Sequence, residues 1–215
     1  MSITIIIIII TCLISLTAFN NEKVFDDLIF NPPAITYNRQ YYRFFTCGLI
    51  HANYMHLGFN MYSLYLFGEI VEPEFGSAFG AKGKMFYLLM YVTALIVCLL
   101  PTYWKNRKNY NYRSLGASGA VSAVVFAFIF FDPTLKLGLI FLPRQLAIPG
   151  FIFGFLYLGI STILDRRGGG NVNHSAHIWG AIYGIVFLVV MGYAFSNYRL
   201  LDEFVDKVKT WSHSF

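Results

Sequence analysis

Six stretches of this chain carry no Asp, Glu, Lys or Arg: residues 1–21, 44–68, 85–104, 114–131, 145–164 and 168–198. Nothing else in the sequence restricts the fold as much. A helix that crosses a bilayer needs about 20 mostly apolar residues. The windows therefore predict six spans, near 3–19, 54–72, 85–101, 115–131, 147–164 and 175–195. Only 13% of the residues are charged and 57% are hydrophobic, against about 25% charged in an ordinary soluble domain. The polar connections are short. The expected fold is all-α: a polytopic six-transmembrane-helix bundle over 1–199, then a short amphipathic tail over 200–215.

The first window, "SITIIIIIITCLISLTAF", lacks the basic start and small-residue cleavage site of a signal peptide, so it is read as a helix. A net charge of +5 suits anionic lipid headgroups, and no basic run accompanies a soluble fold that would argue for nucleic acid. The three cysteines, Cys12, Cys47 and Cys98, form no CxxC pair and support neither a disulfide framework nor a zinc site. No cofactor is implied.

The longest connection, Asn20 to Asn53, holds "NPP" and the aromatic, arginine-rich "YNRQYYRFF", a composition that favours the headgroup zone. "EPEFGSAFGAKGK" reads as the next loop, "PTYWKNRKNYNYR" as a basic surface loop, and "DPTLKLGLIFLPRQ" as a connection dipping into the interface. The three glycines of "DRRGGGNVNH" predict the most mobile connection. In the tail, Leu201, Phe204, Val205, Val208 and Trp211 recur at helical spacing, the pattern of a helix lying on a membrane surface. The chain shows no internal repeat.

Polar side chains inside spans are expensive in lipid and are functional candidates by default. His56 and Asn60 in "HLGFN", Ser118 in "GASG" and His177 in "AHIWGAIYG" all lie near the N-terminal ends of even-numbered spans. Even-numbered spans enter the bilayer from one side, so topology alone brings the four side chains to similar depth. At about 1.5 Å per residue, Ser118 sits roughly 8 Å along its helix from Arg113. Each residue also has a plain packing reading. Gly116, Ala117, Gly119, Ala120 and Ala123 form a small face, and Gly180 and Gly184 form a GxxxG, both common in close helix contacts in membranes. The two readings cooperate, because small faces bring helices near enough for a Ser–His hydrogen bond of about 2.6–3.2 Å.

That pattern predicts acyl transfer by a dyad. His177 takes the Ser118 proton as general base and returns it to the leaving amine. Backbone N–H groups in the first turn of the Ser118 helix lack intrahelical acceptors and are free to bind an oxyanion. Asn60 and His56 add two donors. No HExxH cluster supports a metal-dependent alternative, and the two loop-edge aspartates, Asp132 and Asp165, do not supply the in-span pair that an aspartyl mechanism needs.

At these motifs the sequence resembles the rhomboid family of intramembrane serine proteases, over roughly residues 42–195. HxxxN appears as His56 to Asn60, GxSG as "GASG" at 116–119, and AHxxGxxxG as "AHIWGAIYG" at 176–184. The resemblance implies Ser118 as nucleophile, His177 as general base and acid, and His56, Asn60 and the Ser118 N–H as the oxyanion hole. It also implies that "YRFFT" at 42–46 stands for a Trp-Arg motif with Tyr42 in the tryptophan's place. Glu72 stands for a structural acid ending the second helix. The resemblance further implies that the fifth helix and the loop after it act as a gate or cap. One position departs: where the family often carries an aromatic that packs on the catalytic histidine, one turn after the nucleophile, this chain has Ser122.

The implied partners are transmembrane protein substrates and membrane lipid. The sequence does not specify the oligomeric state. The alternative is a catalytically weak or inactive relative that binds transmembrane segments, and such proteins typically lose the serine or the histidine. A transporter would show inverted repeats or interrupted helices, and neither is visible. For orientation the resemblance implies a cell-membrane protein whose active site opens to the extracytoplasmic side. The loops on that side carry nine Lys and Arg against seven on the other, so positive-inside reasoning leans by two charges toward the reverse.

Overall fold

The computed structural model describes residues 1–138, 147–167, 173–196 and 199–214. Helix α1 (Ile3–Phe19) leads into three short helices, α2 (Glu22–Leu28), α3 (Pro32–Asn38) and α4 (Arg43–Thr46). Then come α5 (Tyr54–Phe79), α6 (Gly83–Val97), α7 (Leu100–Asn106), α8 (Ser118–Phe131), α9 (Gly150–Arg167), α10 (His174–Phe195) and α11 (Leu200–Ser212). Two-residue strands β1 (Lys136–Leu137) and β2 (Ile148–Pro149) pair antiparallel. The all-α expectation holds apart from this small ribbon.

Each predicted span coincides with a long helix, but lengths differ. Among the described residues, two helical stretches are long and apolar enough to cross a membrane: Tyr54–Asn106, which contains α5 to α7, and α10. Helices α1, α8 and α9 are apolar and shorter. Helix α8 has 14 residues, about 21 Å of rise, because the chain ahead of Ser118 stays irregular and is held by other contacts. Helix α5 is longer than expected. The "EPEFGSAF" read as loop is its last two turns, and Glu72 lies inside the helix instead of ending it. The helix passes Pro73, whose ring takes away one intrahelical donor. The first six residues of the expected surface loop, 101–106, are also helical, within α7.

Helix α8 occupies the centre. Gly119 to Val124 and Phe126 to Phe130 are buried, as expected for a helix that is apolar all round. Its closest partner is α10. A Cβ added at Gly180 would lie 2.0 Å from the Gly119 carbonyl oxygen, and one at Gly184 would lie 2.4 Å from that of Ala123. The two small faces thus bring backbone onto backbone. Outward positions such as Leu13, Phe155, Ile160, Ile163 and Val190 expose large apolar side chains to the surroundings. Aqueous monomers rarely expose apolar patches this extensive, and lipid tails accept them.

Buried polar contacts fix the periphery. Glu72 on α5 accepts the N–H groups of Ile3 and Thr4 at 3.0 Å each, so a carboxylate satisfies free donors at the positive end of α1. The long connection after α1 is ordered by caps: the Asn21 and Asn31 side chains accept from Val24 N–H and Ala34 N–H. Buried Arg43 donates to the carbonyls of Asp26 and Ile29 and to Gln40, which gives the arginine of "YRFFT" a structural task. The tail forms the expected amphipathic helix. Its Lys207 ammonium donates to the Phe131 carbonyl at the end of α8, a favourable place for a cation, and Phe204 stacks on Phe130. The expectations for the 139–146 part of the interfacial loop and for the 168–172 part of the glycine-rich connection lie outside the described residues.

Candidate active site

Ser118 is the first residue of α8. The turn before it is pinned from several sides. Phe30 and Ser114 exchange backbone hydrogen bonds, and Gly116 N–H donates to the Cys47 carbonyl at 2.9 Å. Gly116 has φ +109°, and a Cβ there would meet His56 Cε1 at 2.8 Å. Both the backbone angle and the close ring require glycine. The first glycine of "GASG" is therefore conformational, and the second packs against neighbours: a Cβ at Gly119 would press on the Cys98 sulfur.

His177 lies in the first turn of α10, whose N-cap is Asn173. The Asn173 side chain accepts from Ala176 N–H and from the Thr102 hydroxyl, and it donates to the Ser114 hydroxyl at 3.4 Å. This network sets the height of α10 relative to α8. Ser118 Oγ and His177 Nε2 then stand 2.6 Å apart. Sequence reasoning brought these two residues to one place, and the geometry is that of a nucleophile within reach of a base.

His56 and Asn60 face the same cavity from α5. Its volume is about 860 Å³, and α5, α8, α9 and α10 all contribute to its walls. His56 Nδ1 accepts the Ala52 N–H at 3.4 Å, so the neutral ring carries its proton on Nε2, the atom lying against Gly116. Buried Asn60 donates one amide hydrogen to the His56 carbonyl at 2.9 Å; the amide has a second hydrogen to give. Among the described residues no cluster of three or more His, Cys, Asp or Glu is placed to hold a metal.

Two residues beside this site were not singled out from the sequence. Tyr157 of α9 stacks on the His177 ring, with centroids 6.4 Å apart and planes at 21°. In "GFLYLG" it reads as one more aromatic in an apolar run. His51 is 0% exposed. Ser15 Oγ donates to the Leu49 carbonyl and accepts from His51 Nδ1, which leaves His51 Nε2 to accept the Ala117 N–H at 3.4 Å. One neutral tautomer satisfies all three bonds, and it links α1 to the turn carrying Ser118.

Burial, followed by the neighbouring His56, lowers the His51 pKa to about 3, from an ordinary value of about 6.5. Below about pH 6.5 the unfolded chain therefore takes up a proton that folded His51 refuses. Its contribution to stability is full above that pH and is lost as pH falls toward 3. The wild-type Tm in detergent is expected to drop between pH 6.5 and 4.5, and His51→Gln, which does not titrate, to show a shallower decline. Equal slopes in the two proteins would contradict this assignment.

The Rhomboid domain profile matches residues 38–194, and the chain belongs to the rhomboid family. It is 34% identical over 163 residues to Rhomboid-like protein 11, chloroplastic, of Arabidopsis thaliana, covering 69% of this chain and 51% of the relative. It is 29% identical over 144 residues to RHOMBOID-like protein 12, mitochondrial, of the same plant, covering 63% and 42%. With Rhomboid protease GlpG of Haemophilus influenzae it shares 28% identity over 187 residues, covering 85% of this chain and 88% of the relative. The chain thus spans about half the length of the two plant relatives.

Proposed function

We propose that the protein is an intramembrane serine endopeptidase built on a six-helix transmembrane core, 1–199, with the amphipathic tail 200–215 attached. Its six spans are α1, α5, α6, α8, α9 and α10, with α8 short because it begins below the membrane surface. The observation that carries this reading is the 2.6 Å contact of Ser118 Oγ with His177 Nε2 at the wall of a cavity. Polar side chains within membrane spans are functional candidates by default, and this pair opens onto a cavity where interhelical packing alone would have closed the space.

In the proposed reaction, His177 Nε2 takes the proton of Ser118 as Oγ bonds to a peptide carbonyl carbon. The negative oxygen of the tetrahedral intermediate is met by the Ser118 N–H, the second Asn60 amide hydrogen and His56 Nε2–H. Collapse breaks the C–N bond, and His177 returns the proton to the departing amine. Water then repeats the sequence on the acyl-enzyme and releases the acid. The substrates are transmembrane segments of other membrane proteins, reaching the cavity from the lipid. The test is incubation of the pure protein with a small fluorophosphonate, followed by peptide mapping. The adduct is expected on Ser118 and its formation lost in His177→Ala; an adduct elsewhere, or none, contradicts the reading.

The proposal includes a cell-membrane location with the Ser118 mouth on the extracytoplasmic side. A variant with Cys12, Cys47 and Cys98 replaced and Tyr110, an exposed residue on the same side as Ser118, changed to Cys tests this. An impermeant maleimide is expected to label it in intact cells; labelling only after permeabilisation reverses the orientation.

A further inference from the structure

Ser122, one turn after Ser118, has one hydroxyl hydrogen, and it goes to the Ser118 carbonyl at 2.9 Å. Its second contact, 2.9 Å to the Tyr157 hydroxyl, is therefore one in which Tyr157 donates. The same tyrosine ring lies parallel to the His177 imidazole and is wedged between Phe126 and Phe153. One side chain of α9 is thus tied by its hydroxyl to the helix of the serine and by its ring to the histidine. It also lines the cavity. Serine at position 122 is too short to cover the imidazole, and the ring that covers it arrives from a different helix.

We infer that Tyr157 is the positioning residue that holds His177 in register with Ser118, and that it makes the dyad's geometry depend on the position of α9. This rests on the proposed dyad. An imidazole bonded at 2.6 Å to its serine and touched at its side by His174 still has torsional freedom; the Tyr157 ring, stacked with centroids 6.4 Å apart and planes at 21°, restricts it further. Because α9 forms one wall of the cavity, any displacement of that wall to admit a substrate segment carries the ring away from His177. Tyr157 therefore links access from the lipid to the readiness of the base, and a variant that merely widens the cavity at this position becomes slower, not faster.

A small electrophile separates the two roles, since it reaches Ser118 without α9 having to admit a transmembrane segment. The rate of Ser118 labelling by a fluorophosphonate is measured on the pure full chain in detergent, by intact mass. Tyr157→Ala is expected to slow labelling by at least about tenfold, since misplacement of a reacting group by about 1 Å costs up to about 100-fold. Tyr157→Leu, which fills the space without a flat ring and guards against collapse of the alanine variant, is expected to be slowed similarly. Tyr157→Phe keeps the ring but loses the tie to Ser122, and is expected to label at a rate between those of wild type and Tyr157→Ala. Ser122→Phe combined with Tyr157→Ala, which returns a ring from α8, is expected to recover part of the rate. Wild-type or faster labelling in Tyr157→Ala or Tyr157→Leu would overturn the inference while leaving the dyad standing. Failure of the wild type to label at Ser118 would remove the dyad and this inference with it.

Discussion

His177→Ala is expected to lower turnover of a single-span substrate by about 10⁴-fold or more, with the fold intact. Residues that act as one unit share their effect, so removing either partner of a serine–base pair loses nearly all of its contribution. Here His177 is bonded directly to Ser118, and α8 and α10 carry no carboxylate to replace it. Asn60→Ala gives a useful contrast. Loss of one oxyanion donor typically costs about 10²–10³ in turnover, roughly 2.7–4 kcal/mol, because the remaining donors still act. The ordering is the point: His177→Ala must be worse than Asn60→Ala, measured at saturating substrate beside a thermal melt of each variant. If His177→Ala retains more than a few per cent of wild-type turnover, the histidine only packs against the serine.

The second large effect comes from a residue that touches no reacting atom. A methyl at Gly180 would sit 2.0 Å from the Gly119 carbonyl oxygen and 2.7 Å from its carbon, distances no packed structure holds. In Gly180→Ala the α8 and α10 backbones must move apart by about 1 Å, and overpacking of this kind costs about 1–3 kcal/mol of stability. Gly119 follows Ser118 and Gly180 lies one turn after His177, so the separation falls on the Ser–His contact itself. Turnover is expected to drop by about 100-fold, together with a lower Tm. Gly159→Ala on α9 is the control: nothing lies within 4 Å of its added carbon, and it is expected to be silent. Wild-type turnover in Gly180→Ala would show that the close approach of these helices is not what seats the dyad.

Those helices were also the most legible part of the sequence. "GASGA" and "AHIWGAIYG" carry the proposed Ser–His pair and announce the packing, because in a membrane small residues at fixed spacing have few other uses. The structure returns their contact backbone to backbone. Other features depend on tertiary contacts that periodicity does not report. The helix passing through Pro73 was read as a loop, since the Glu72 carboxylate that receives the end of α1 is visible only once both helices are placed. The short helices after α1 are too brief to show a hydrophobic period, and buried Arg43 organises them through carbonyls distant in sequence. Around the site, His51 and Tyr157 escaped notice for one reason. Each acts on a residue of another helix: His51 on the turn before Ser118, and Tyr157 on His177. A departure at one position, Ser122, was readable in the sequence; that its hydroxyl binds the tyrosine replacing the missing aromatic was not.

The central claim, that Ser118 with His177 cleaves peptide bonds of membrane-embedded chains, is tested most directly in liposomes. The purified full chain is reconstituted with single-span test substrates, and the products of wild type and Ser118→Ala are weighed by mass spectrometry. The account predicts two fragments from the wild type whose masses sum to substrate plus one water, and intact substrate with Ser118→Ala. Equal cleavage by the two proteins would contradict it.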